Sequence, residues 1–88
     1  MRDSKEKDKL LKSLRRVEGQ DRGIQNMLED ERYCIDVLIQ VQAARAALTT
    51  IGLTILEQHA KGCVVSAIQH GDETKIDELL DTIKQFAR

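Results

Sequence analysis

Proline is absent from this 88-residue chain, and aromatic residues are reduced to one tyrosine and one phenylalanine. Without proline the chain lacks its strongest helix breaker. No uncharged run reads as a membrane span, because no stretch of about 18 or more residues is purely apolar. The charged beginning of the chain has no apolar segment followed by a cleavage site, so a secretory leader is not expected and the cytoplasm is the expected location. There is no glycine-rich phosphate loop and no paired acid and base, and serine occurs only at Ser4, Ser13 and Ser66. An enzyme is therefore not expected. A helix-turn-helix, a zinc finger and a ribbon reader are missing as well.

What is present is helical. Apolar residues make up 41% of the chain, enough to fold, but a domain this small has little room for a core of its own. Association with copies of itself would complete that core. Three helices account for nearly all of residues 1–88, read as a single domain. The first runs from Ser4 to Leu28 with the apolar stripe Leu10, Leu14, Val17, Ile24 and Leu28, interrupted by Asp21. The second starts near Glu31 and runs to about His70. Its stripe is Cys34, Leu38, Val41, Leu48, Ile55 and His59, with a neighbouring line Val37, Ala44, Ile51 and Val64. Gly52 and Gly62 weaken it locally. His70-Gly71-Asp72 is a stop and restart. The third helix, Glu73 to about Phe86, turns Ile76, Leu79, Leu80, Ile83 and Phe86 to one side. The expected fold is all-α, a short helix packed on a long helical hairpin.

Two cysteines and two histidines carry what chemistry there is. His59 and Cys63 are four residues apart, one turn on a helix face, where an imidazole and a thiolate can share a metal ion. Cys34 lies 25 residues before His59, roughly 37 Å along a straight helix, so one chain cannot bring the three together. Because 25 residues is close to seven turns, Cys34 and His59 share a side. Two such helices packed antiparallel would place Cys34 of one copy beside His59 and Cys63 of the other, giving a dimer with two identical sites. Two sulfurs and one nitrogen are a soft, three-ligand set that suits copper(I), with zinc as competitor, although zinc usually takes a fourth ligand. Tyr33 and Glu78 are candidate neighbours that would orient His59. The bland alternatives are cysteines that fill a core and a histidine that is simply hydrogen-bonded. A cysteine nucleophile, or a metal buffer or scaffold that never meets DNA, uses the same residues. His70 reads as a helix-end residue favoured by the dipole.

The net charge is −1, but residues 1–23 hold eight Lys or Arg against five Asp or Glu, and residues 24–88 hold six against ten. Lys5, Lys9, Lys12 and Arg16 cluster on one side of the first helix, and Arg15 and Arg22 form a second ridge. A solvated face is one reading. A positive patch multiplied by a symmetric oligomer, meeting phosphates in a salt-dependent way, is the other. Arg45 is isolated on the long helix, either an interfacial charge or part of the same positive surface after assembly.

The stretch LRRVEGQDRGIQNMLEDERYCIDVLIQVQAARAAL, together with ILEQHAKGC further on, resembles the copper-sensitive operon repressor (CsoR) family over nearly the full chain. The family's run Leu-Leu-Glu-Gln-His stands here as Ile55-Leu56-Glu57-Gln58-His59. The resemblance implies antiparallel helical hairpins paired into a homodimer and then a disc-like homotetramer, a dimer of dimers. It implies copper(I) held by Cys34 of one chain and His59 and Cys63 of the other, with Tyr33 as a neighbour and Glu78 as the corresponding glutamate of the third helix. Arg16 and Arg22, helped by Lys12 and Arg15, would contact operator double-stranded DNA, and copper binding would release it. Family members that sense nickel or cobalt carry a histidine near the start and another where Cys63 stands. The formaldehyde sensors have an early proline and lack the second cysteine, whereas this chain has Arg2 and Cys63. The persulfide sensors keep both cysteines without the histidine, so a persulfide response through Cys34 and Cys63 is the alternative.

Overall fold

The computed structural model describes residues 4–87, so Arg2 lies outside the described residues. Three helices follow one another: α1 (Ser4–Glu29), α2 (Cys34–His70) and α3 (Glu73–Ala87), with no strand among the described residues. The all-α expectation holds. Gly52 and Gly62 do not break α2, which continues through both. The start of α2 differs from the expected Glu31, for a reason visible in the turn.

That turn is a helix C-cap followed at once by an N-cap. The Glu31 N–H donates to the Leu28 carbonyl at 3.1 Å and the Arg32 N–H to the Met27 carbonyl at 2.9 Å. This pair of bonds is the Schellman arrangement, which requires its central residue in the left-handed region. Glu31 occupies it at φ 53°. The Tyr33 carbonyl then accepts the first bond of α2, from the Val37 N–H at 3.2 Å, which makes Cys34 the first helical residue. The turn after α2 repeats the design with the usual residue: Gly71 has φ 64°, the Asp72 N–H donates to the Ala67 carbonyl at 3.1 Å, and the Asp72 carboxylate caps α3 by accepting from the Thr74 N–H at 3.1 Å. A side chain in the left-handed region clashes with its own backbone, and glycine does not. Glu31→Gly is therefore expected to raise stability by about 0.5–1 kcal/mol in chemical denaturation; an unchanged midpoint would show that the turn carries no strain.

The chain forms two compact units. One holds α1 and the first part of α2, through Gly52. In it the less exposed line of α1 is Leu10, Ser13, Val17, Gln20, Ile24 and Met27, and Val37 and Ile51 of α2 are buried. The expected α1 stripe is thus corrected at two places: Leu14 is 40% exposed and Leu28 63%. Ser13, Gln20 and Met27 stand on the sheltered side instead. Gln20 is the polar interruption rather than the exposed Asp21, whose carboxylate accepts from the Gln25 amide at 3.3 Å. The Gln20 side-chain oxygen is shielded from solvent and has no hydrogen-bond partner among the described residues.

The second unit holds α2 from Leu53 onward with α3. Its buried residues are Ala67 and Leu79. Ala67 is small enough for a close helix approach, and Leu79 belongs to the apolar side of α3 read from the sequence. Leu80, Ile83 and Phe86 remain exposed.

By length and composition α2 passes the test for a membrane-crossing helix, yet only 11% of its most apolar stretch is buried within the chain. Leu38, Val41, Leu48, Leu53 and Val65 are all exposed. A helix that is apolar around much of its circumference is normally covered on more than one side.

Candidate metal centre

The three candidate ligands all lie on α2, in different units. Cys34 opens the helix, is exposed and has a free thiol. His59 and Cys63 stand one turn apart in the second unit, as the spacing requires. His59 is exposed and makes no hydrogen bond or ion pair among the described residues. Its ring nitrogens are thus uncommitted. Cys63 is half-buried and free of any disulfide, and its thiol donates to the Lys75 carbonyl at 3.5 Å. That contact ties the cysteine to the first turns of α3. It involves a main-chain carbonyl, so no pattern of residue types could have announced it.

Among the described residues no three His, Cys, Asp or Glu groups stand together so as to hold a metal ion. The donor set itself, two thiols and an imidazole, suits a soft ion. Tyr33 and Glu78, the candidate neighbours, are both exposed. Tyr33 supplies the carbonyl that caps α2, and the Glu78 carbonyl accepts from the Thr82 hydroxyl at 2.9 Å. The Glu78 side chain makes no hydrogen bond to His59 among the described residues. His70 behaves as expected of a helix-end residue: its ring Nδ1 lies 2.8 Å from the Ser66 carbonyl.

The candidate phosphate contacts Lys12, Arg15, Arg16 and Arg22 are all exposed on α1. Arg22 is the one with a visible partner, Glu18 one turn earlier at 4.0 Å. An exposed pair of this kind is worth little, so a phosphate would readily displace the carboxylate. The spacing of four could have predicted the pair.

Comparison with known proteins places these features. Residues 6–85 match the family model described as metal-sensitive transcriptional repressor. The copper-sensing transcriptional repressor CsoR of Bacillus subtilis is 52% identical over 86 residues, spanning 97% of this chain and 85% of that protein. Among solved structures, the copper-sensing repressor CsoR with Cu(I) from Geobacillus thermodenitrificans superposes with a TM-score of 0.91 at 49% identity, covering 100% of this chain and 93% of the other. The nickel-responsive transcriptional regulator InrS superposes at 0.79 with 38% identity, covering 90% of each chain. The family so matched is one of transcriptional repressors, not of enzymes. With the match running through all three helices, the chain belongs to the metal-sensitive transcriptional repressor family.

Proposed function

We propose that this chain is a copper(I)-responsive transcriptional repressor, acting in the cytoplasm as one domain over residues 1–88. Its apo form would bind operator double-stranded DNA and be released when copper(I) is taken up. The observation that carries the reading is the placement of His59 and Cys63 one turn apart, with Cys34 at the start of the same helix, in a chain similar to a Cu(I)-bound repressor. Cys34 of one copy and His59 and Cys63 of another would hold the ion. The ion would supply a bond between copies, since three coordination by soft donors satisfies copper(I). Tyr33 and Glu78 would orient His59 in the assembled form. Cys63 would give up its thiol proton on ligation, and with it the hydrogen bond to Lys75.

The apolar surface that α2 leaves uncovered supports self-association as a homodimer and a homotetramer rather than insertion in a membrane. Lys12, Arg15, Arg16 and Arg22 would meet phosphates. DNA and copper(I) then act in opposition, and each weakens the other by the same factor. A persulfide-responsive repressor is the second reading, favoured by the two free thiols and the exposure of Cys34.

The test is an anaerobic titration. The reduced protein is bound to a duplex that it has itself selected from a random-sequence pool, then titrated with copper(I) and, separately, with a persulfide donor. Release at about one copper per chain is expected. Release by the persulfide donor alone, with Cys34 linked to Cys63 of another chain, would replace copper(I) with sulfane sulfur as the signal.

A further inference from the structure

Between Asp36 and Glu57, α2 carries a single charged residue, Arg45. It is exposed and makes no ion pair among the described residues; its main-chain carbonyl accepts from the Thr49 hydroxyl at 3.0 Å. Its position on the helix sharpens the problem. Leu38 and Val41 lie seven and four residues before it and Leu48 three after it, the spacing of one helix face, and all three are exposed. The same stripe runs from Cys34 to His59. Arg45 therefore sits inside the apolar surface that self-association would cover, and an unpaired charge is costly to bury there.

The pairing proposed for the metal centre, on which this inference rests, says what Arg45 would face. An antiparallel pair of α2 helices that sets Cys34 opposite residues 59–63 sets Arg45 opposite residues 48–52. Those are Leu48, Thr49, Thr50, Ile51 and Gly52, with no carboxylate among them. The acids of the other α2, Asp36 and Glu57, stand opposite residues 57–61 and 36–40, at least five residues from Arg45, or about 8 Å and more along the axis. The two Arg45 residues come within three to seven residues of each other, about 5–10 Å along the axis, on either side of the two-fold. The long arginine stem would cover apolar surface while its guanidinium emerges at the rim. The partner chemistry that answers two guanidinium groups flanking a two-fold axis, with no carboxylate of either α2 in register with them, is a polyanion with evenly spaced phosphates.

We infer that Arg45 and its symmetry mate form a phosphate-binding pair at the centre of the dimer, extending the duplex-DNA surface beyond the basic side of α1. Arginine suits the role because its planar fork bonds phosphate oxygens in pairs. These contacts would hold the duplex without reading its sequence.

The test measures the apo protein on its selected duplex over a range of salt concentrations. Two lost phosphate contacts per dimer lower the magnitude of the salt slope by about two, so Arg45→Gln is expected to show that drop and weaker binding at low salt. Arg45→Lys is expected to keep the slope. Copper(I) stoichiometry and oligomer mass are expected to stay as in the unsubstituted protein. A slope unchanged by Arg45→Gln, in a protein that still binds DNA and is released by copper(I), would overturn this assignment and leave the repressor reading standing. So would a loss of oligomer with the slope intact, which would show that Arg45 is paired within the assembly. An unsubstituted protein that binds no duplex overturns both.

Discussion

Copper(I) uptake is expected to return when two inactive variants share a dimer. Cys34→Ser keeps His59 and Cys63, and Cys63→Ser keeps Cys34. Each protein alone has one sulfur fewer at every site and is expected to lose its metal to a copper(I) chelator that the unsubstituted protein resists. Unfolding and refolding the two together in equal amounts gives mixed dimers in about half of all pairs. In a mixed dimer one site regains the full set, Cys34 from one chain with His59 and Cys63 from the other, and the second site lacks both sulfurs. Chelator-resistant copper(I) should therefore recover to about a quarter of the unsubstituted level. A ligand set contained within each chain would recover none. Variants that hold copper(I) as firmly as the parent before mixing would remove Cys34 and Cys63 from the ligand set.

The second large effect concerns stability. Leu79 is 6% exposed and Ala67 3%, and they are the buried residues of the unit that joins the end of α2 to α3. Replacing a buried leucine by alanine removes its transfer free energy and leaves a cavity, together about 2–5 kcal/mol. The whole stability of a domain is only about 5–15 kcal/mol. Leu79→Ala is therefore expected to shift the urea midpoint far down. Ile83→Ala, at an exposed position on the same helix, is expected to cost much less in a dilute sample. Equal costs for the two would mean that α3 is held by contacts outside this chain rather than by Leu79. The experiment also bears on Cys63, whose hydrogen bond to Lys75 depends on α3 staying in place.

Much of this was readable from residue order, and the exceptions have physical causes. The helix count follows from apolar spacing, and the restart at Gly71 and Asp72 follows from residues that favour those backbone positions. The turn before Cys34 escaped because its left-handed position is filled by Glu31, with no glycine to mark it. The sheltered side of α1 differs from its apolar stripe because periodicity counts apolar residues only. It favours Leu14 and Leu28 and passes over Gln20, a polar residue turned inward with its oxygen unpartnered. On α2 the apolar residues surround the helix, so spacing gives no single direction. The positions of His59 and Cys63 were legible as one turn of helix. Their proposed junction with Cys34 lies between two molecules, and one sequence encodes only half of such a site.

The uncovered surface of α2 has a thermodynamic consequence. Whatever binds the folded chain and not the unfolded one stabilises it by mass action. If copies of the chain cover that helix, the midpoint of unfolding becomes a property of concentration as much as of sequence. Dilution would then loosen the fold itself along with the assembly. The cost of Leu79→Ala and the gain from Glu31→Gly are meaningful only when compared at one protein concentration. In a cell, the same relation would make the repressor's durability rise with its abundance.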